Sequence, residues 1–226
     1  ERGHKVVLLT WDPNNANSHY QLNPEIRWHK LNLGSSDVKA NWLLRFKRQL
    51  TIRKIVKEIK PSVAIGFQVG TFLAIRLALI GLSIPTIAAE RNSPDLFKYL
   101  KNGGKNRIFS YLALLLSDAV TVQFNSYIDR YPFFLRSRIL TISNPVFPST
   151  KTTYPNKGET PIPRILNVGR LSYQKNQLFL IRSFSLIASK YPEWNLTLVG
   201  EGEYRKKLEI LINEKGLSNR IKLIGA

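Results

Sequence analysis

The sequence predicts an α/β protein made of two doubly wound parallel-sheet domains. Three observations carry that expectation. Short apolar runs rich in Val, Ile and Leu alternate with longer helix-like segments along nearly the whole chain. The turns between them are brief and rich in Gly, Pro, Asp and Asn. A proline-dense stretch, PVFPSTKTTYPNKGETPIP, then divides the alternation into two series, as a linker would.

Taken in order, ERGHKVVLLTWD reads as a helix end, a glycine turn and a buried strand KVVLLT. The segment from Asp12 to Gly34 is rich in Asn and Pro, and within it EIRWHKLNL reads as a second strand. A helical stretch follows up to Lys60, where Pro61 stops it. Then come SVAIGF (strand), GTFLAIRLALIGL (helix), PTIAAE (strand), KNRIFSYLALLLS (helix) and DAVTVQF (strand). SYIDRYPFFL and RILTISNP add a short helix and a strand, so helices are expected on both faces of a parallel sheet.

Past the linker, RILNVG, NLTLVG and IKLIG read as strands separated by the helices KNQLFLIRSFSLIASKYP and EYRKKLEILINEKGL. That is a βαβαβ half of a second doubly wound domain. The expected boundaries are 1–148 for the first domain, 149–163 for the linker and 164–226 for the second domain, which is expected to be truncated.

Residues 41–60, NWLLRFKRQLTIRKIVKEIK, carry two stripes. Ile52, Ile55, Val56 and Ile59 should face the sheet, with Arg53, Lys54, Lys57 and Lys60 turned outward. Trp42, Leu43, Phe46 and Leu50 form another stripe, mixed with Arg45, Lys47 and Arg48, and one continuous helix cannot bury both against one sheet. A break in the helix is the favoured reading. The other is a basic amphipathic surface on anionic lipid, with Trp42, Arg45, Phe46, Lys47 and Arg48 at the contact.

Composition limits the function. The 226 residues carry 34 Lys/Arg against 15 Asp/Glu, a formal charge of +19, and both halves are basic. Such an excess attracts nucleic acid, acidic membrane or phosphorylated small molecules and says nothing about fold. Without cysteine there are no disulfides or thiolate metal sites, and His4, His19 and His29 lack metal-ligand spacing. No apolar run approaches the ~20 residues needed to span a bilayer. The chain contains no methionine, even at position 1, so it is not expected to begin where its gene begins.

Two strand ends carry the chemistry. In NVGRLSYQKN, Gly169 closes a strand, Arg170 and Lys175 occupy the loop, and a helix begins near Lys175. Two cations and a helix N-terminus at the carboxyl end of a parallel strand suit a diphosphate, whereas a plain solvated loop would need none of this. In LVGEGEYRKKL, Gly200, Glu201 and Gly202 make a turn that lets a ligand approach the backbone. As a dinucleotide fingerprint it fails, because Arg205 stands where the third glycine would be.

Together, NVGRLSYQKNQLFLIRSF, YPEWNLTLVGEGEYRKKLEILI and LSNRIKLIG resemble the nucleotide-sugar domain of family 4 glycosyltransferases, enzymes of the GT-B fold with two Rossmann-like domains. RGHKVVLLT and ISNPV agree more loosely with the first domain. The resemblance implies a hexosyltransferase-type enzyme that moves a sugar, with retention and without a metal or other cofactor, from a nucleotide diphosphate sugar to a saccharide or lipid-linked acceptor in cell-surface glycan synthesis. Arg170 and Lys175 would grip the diphosphate as catalytic groups, and Gly169, Gly200, Glu201 and Gly202 would border the donor. A cytoplasmic location is expected, peripheral on the inner face of the membrane.

Departures from the family pattern are as informative. Its N-terminal glycine-rich loop and its paired glutamates would lie outside residues 1–226, so the chain alone is expected to be inactive. Where many members place a histidine, this chain reads AAERNSP, which makes Glu90, Arg91 and Asn92 acceptor-side candidates. The competing readings are a nucleotide-sugar epimerase of the same fold and a non-enzymatic basic protein that binds nucleic acid or membrane. Nucleic acid is disfavoured by the lack of a recognised motif.

Overall fold

The computed structural model describes residues 3–18, 21–34, 40–99, 103–146 and 163–225. The chain divides into two compact units, Glu1–Phe147 and Pro148–Ala226. All of the expected linker except Pro163 lies outside the described residues, as do Glu1 and Arg2 of the expected helix end.

In the first unit, β1 (Val7–Thr10) pairs in parallel with β2 (Arg27–Lys30). The Trp28 indole donates to Thr10 Oγ1 at 2.8 Å and so ties the two strands. A separate four-stranded sheet is built from β3 (Ala64–Phe67), β4 (Thr86–Ala89), β5 (Ala119–Val122) and β6 (Ile139–Thr141), all parallel and in sequential order. Its connections carry α2 (Gln68–Ala78), α3 (Gly103–Leu114) and α4 (Phe133–Arg136). Phe72 of α2, Leu114 of α3 and Leu135 of α4 bury against Ala88, Val120 and Val122 of the strands. Fully burying each such large side chain contributes about 1.5–3 kcal/mol. Asp118, just before β5, accepts from the Thr86 backbone N–H at 2.7 Å and the Thr86 hydroxyl at 3.0 Å, which staples β5 to β4.

The helix α1 (Trp42–Ile59) corrects the favoured sequence reading, because it runs unbroken for 18 residues. Asn41 caps it by accepting from Leu44 N–H at 2.8 Å, and Lys60 ends it in a left-handed conformation before Pro61. Ile52 and Val56 bury against Ala78 and Leu79 at the end of α2. The second stripe resolves differently: Trp42, Leu43, Phe46 and Leu50 remain exposed. The expectation of a break assumed that every apolar stripe is buried, and this one is not. Arg53 also departs from its expected outward position, since its guanidinium donates to the carbonyls of Ala78 and Ile80.

The second unit holds β7 (Arg164–Val168), α5 (Gln177–Ile187), β8 (Asn195–Val199), α6 (Arg205–Glu214) and β9 (Ile221–Ile224), with the strands parallel in the order β7-β8-β9. Parallel register aligns Ile165, Leu196 and Ile221 on one face and Leu166, Thr197 and Lys222 on the other. The core lies on the first of these faces, where Ile181 and Phe184 of α5 and Leu208 and Leu211 of α6 pack against Leu196, Leu198 and Ile221. Leu166, Val168 and Ile224 are exposed on the opposite face. Right-handed crossovers that step in one direction put successive helices on one side, so the described helices of this unit flank one face rather than both.

Candidate functional site

Among the described residues, each unit carries a cluster of chemically useful side chains at the carboxyl ends of parallel strands, where such sheets bind ligands. In the second unit the loops after β7 and β8 are tied together. Leu171 N–H donates to the Glu201 carbonyl at 2.9 Å, and Tyr204 N–H donates to the Leu171 carbonyl at 3.0 Å. The expected donor residues, Gly169, Arg170, Lys175, Gly200, Glu201 and Gly202, are therefore neighbours in space. The glycines permit it: a Cβ on Gly200 would run into the Gly169 carbonyl, and one on Gly202 into the Leu171 carbonyl. Both also have positive φ, +141° and +159°.

Lys175 lies across Gly169. Its Cε, Cδ and Cγ come 3.7, 3.8 and 3.9 Å from the point a Cβ on that glycine would occupy. Lys175 and Arg170 are both exposed, and neither pairs with a carboxylate among the described residues. Glu201 is engaged instead with Arg205 at 2.8 Å, and Arg205 also reaches Glu209 at 3.2 Å. The residue that spoiled the dinucleotide spacing thus anchors the turn. α5 starts two residues later than expected: a 3-10 turn covers Tyr173–Lys175, and Asn176 takes φ +50° before Gln177 opens the helix. The helix also ends early, at Ile187, so Lys190 lies beyond it, over the Tyr191 ring.

Sequence reasoning missed Gln177. Its side chain is fully buried, and its Nε2 donates to the Arg170 carbonyl at 3.0 Å, holding the loop that carries Arg170. Its Oε1 has no partner. Nothing local marks it, because the contact is made only once β7 and α5 are packed together.

In the first unit, Glu90, Arg91 and Asn92 follow β4. Glu90 and Asn92 line a cavity of about 170 Å³ together with Gln68, Tyr111 and Tyr131. Arg91 turns away, donating to the Ile142 carbonyl at 2.9 Å with its guanidinium 5.7 Å from the Phe67 ring. Burial pushes the Glu90 carboxyl above its ordinary range, against the opposing effect of the Val69 N–H, and Oε1 has no partner. Burial, with the Glu90 charge nearby, also raises the Tyr131 hydroxyl. Gln68, another residue sequence reasoning missed, opens α2 at φ +65°. Such a conformation costs a non-glycine residue on the order of 1–3 kcal/mol and often marks a working site. It makes the turn between β3 and α2, so the helix opens two residues before Gly70, where the sequence reading began it.

Of the surface candidates on α1, Trp42, Phe46 and Lys47 are exposed, and Arg45 is exposed with its Nε on the Ala40 carbonyl at 3.1 Å. Arg48 is a correction. Its Nε and Nη2 donate to the Leu33 carbonyl at 2.9 and 2.7 Å, and its guanidinium lies 4.4 Å from the Trp11 ring, so it fastens the helix to the loop after β2. No described helix is long and apolar enough to cross a membrane.

Comparison with known proteins covers both units. Residues 153–226 match the family described as Glycosyl transferases group 1. Along 95% of its length the chain is 24% identical to a Campylobacter jejuni enzyme, GalNAc-alpha-(1->4)-GalNAc-alpha-(1->3)-diNAcBac-PP-undecaprenol alpha-1,4-N-acetyl-D-galactosaminyltransferase, and it covers 58% of that protein. The chain spans little more than half the length of the curated relatives it matches along most of itself. Among solved structures, WaaG, a glycosyltransferase involved in lipopolysaccharide biosynthesis, superposes with a TM-score of 0.65 at 13% identity, over 100% of this chain and 62% of that one. Anabaena Alr3699/HepE, solved in complex with UDP and glucose, gives a TM-score of 0.61 at 16% identity, over 88% of this chain and 55% of that one. The fold, parallel sheets with flanking helices, is that of GT-B glycosyltransferases such as WaaG and WaaB.

Proposed function

We propose that the chain forms part of a glycosyltransferase of glycan biosynthesis, one that moves a hexosyl-type sugar from a nucleotide diphosphate sugar to a saccharide or lipid-linked acceptor with retention. The observation that carries this reading is Lys175 laid over Gly169 beside Arg170, both without an acidic partner among the described residues, against the glycine turn Gly200–Gly202. The arrangement offers a planar fork and a point charge where a diphosphate can approach the backbone. As the anomeric C–O bond breaks, the electron pair leaves with the diphosphate, and the acceptor hydroxyl oxygen bonds to the anomeric carbon while its proton passes to the departing diphosphate oxygen. Arg170 and Lys175 stabilise that developing charge, so a metal ion is not required in this scheme. The UDP-glucose bound to Anabaena Alr3699/HepE supports the donor class, and the lipid-linked substrate in the Campylobacter relative's name supports the acceptor class.

The test separates binding from rate. The 226-residue chain is titrated with UDP, GDP and ADP by calorimetry, with duplex DNA as the contrast, whose binding would fall steeply with salt. In a form that turns over, Lys175→Ala lowers turnover roughly a hundredfold at saturating donor, with a smaller effect on affinity. Arg170→Lys is also harmful, EDTA leaves the rate unchanged, and Lys190→Ala is mild. If Lys175→Ala and Lys190→Ala prove equally mild, the loop is a solvated loop and the reading fails.

A further inference from the structure

We propose that Gln177 is a positioning residue that aims Arg170 at the donor diphosphate. It opens α5 yet is fully buried, one turn before the core residue Ile181. Its Nε2 donates to the Arg170 carbonyl at 3.0 Å and lies 3.5 Å from Asn167 Oδ1 in β7. The amide cannot be turned over, because Oε1 would then face the Arg170 carbonyl, acceptor against acceptor. In the orientation that the contact requires, Oε1 is buried without a partner among the described residues. A buried acceptor without a donor lowers stability, and an apolar side chain of similar volume would leave none. Position 177 thus carries an amide where burial alone would favour Leu or Met, and the contact which that amide makes falls on Arg170.

The peptide joining Arg170 to Leu171 is held at both ends. Its N–H donates to the Glu201 carbonyl at 2.9 Å, and its carbonyl accepts from Gln177. One such bond would leave the planar unit free to tilt about it, whereas two at opposite ends fix ψ of Arg170, and so the direction in which its exposed side chain leaves the loop. The peptide before it has less support: Gly169 precedes, and the Arg170 N–H has no backbone partner among the described residues. A guanidinium grips two oxygens only in a set orientation, so its aim matters more than that of the point charge on Lys175. The proposal rests on the diphosphate reading and adds to it the group that sets this orientation.

A free nucleoside diphosphate carries the charge that the departing group develops, so its affinity reads the contact directly. The 226-residue chain is titrated by calorimetry with whichever of UDP, GDP and ADP the parent binds most tightly. Gln177→Met weakens binding by about tenfold, the scale of one lost hydrogen bond to a charged group. In an Arg170→Ala background the same substitution costs nothing further, because the side chain it aims is gone. A merely structural role would cost as much in both backgrounds, since Lys175 shares the loop. Thermal melts by circular dichroism keep Gln177→Met near the parent, and Gln177→Asn, whose amide stops one methylene short, repeats the cycle with a polar side chain. Equal losses in both backgrounds overturn the positioning role alone. So does undiminished affinity in both Gln177 variants while Arg170→Ala and Lys175→Ala each weaken binding. If Arg170→Ala and Lys175→Ala leave affinity untouched, the diphosphate reading falls and this proposal with it.

Discussion

Gly200→Ala is the sharpest structural test of the donor-side cluster. The new Cβ meets backbone rather than a side chain that could swing aside: the Gly169 carbonyl oxygen, its carbon at 2.9 Å and the Arg170 nitrogen at 3.7 Å. Relief requires the Gly169–Arg170 peptide to move, and Lys175 rests on that same glycine. Overpacking of this kind costs typically 1–3 kcal/mol. Positive φ adds a separate strain of about 1–2 kcal/mol for a residue with a Cβ. Gly216→Ala isolates the strain, because Gly216 has φ +65° and nothing within 4 Å of its added Cβ. Gly200→Ala should therefore destabilise the second unit by about 2–5 kcal/mol, and Gly216→Ala by only the smaller part. Hydrogen exchange of amides in β7, β8 and β9 reads both against the parent. Equal protection in the two variants would show that the loops after β7 and β8 do not pack as closely as described.

Two carboxyls predict opposite responses to pH. Glu90 has its folded pKa raised by burial, so the folded state holds its proton longer than the unfolded one, and stability declines as pH rises from the ordinary value of 4.5 through the folded value. Glu90→Gln should remove that decline from denaturant midpoints measured across the window, and an unchanged slope would count against a buried carboxyl. Asp118 has its folded pKa lowered, by the Thr86 N–H first and the Thr86 hydroxyl second, so its stabilisation is present above the ordinary 3.8 and is lost as pH falls. Asp118→Asn should cost about 1 kcal/mol at neutral pH and flatten the acid limb, as thermal melts at successive pH values would show.

Strand positions were legible because short apolar runs bounded by turn residues and alternating with longer helical segments have few other meanings. RILNVG, NLTLVG and IKLIG all contain their strands, and NVGRLSYQKN ends its strand at Val168 and carries its cations in the loop. The errors came from contacts that sequence spacing does not contain. An unbroken α1 required knowing that one apolar stripe stays exposed. The inward Arg48 depends on a carbonyl at Leu33, and Gln177 depends on Arg170 seven residues away across a turn. Gln68 was invisible because a left-handed glutamine leaves no mark in periodicity.

The basic surplus also divides in a way that composition could not reveal. Helix C-termini leave carbonyls without intrahelical donors, and a guanidinium can serve several at once. Arg53 takes the carbonyls of Ala78 and Ile80 at the end of α2. Arg76 and Arg138 take those of Leu116, Leu115 and Ser117 beyond α3. Arg220 gathers Ala188, Tyr191 and Trp194 beyond α5. These cations still contribute to the long-range field that draws anions in, but their donors are committed to backbone. In the proposed reading, close contact with a phosphate falls to groups left uncommitted, and at the carboxyl end of β7 those are Arg170 and Lys175. Replacing a capping arginine such as Arg220 should therefore loosen the second unit without selectively weakening nucleotide binding, whereas replacing Lys175 should do the reverse.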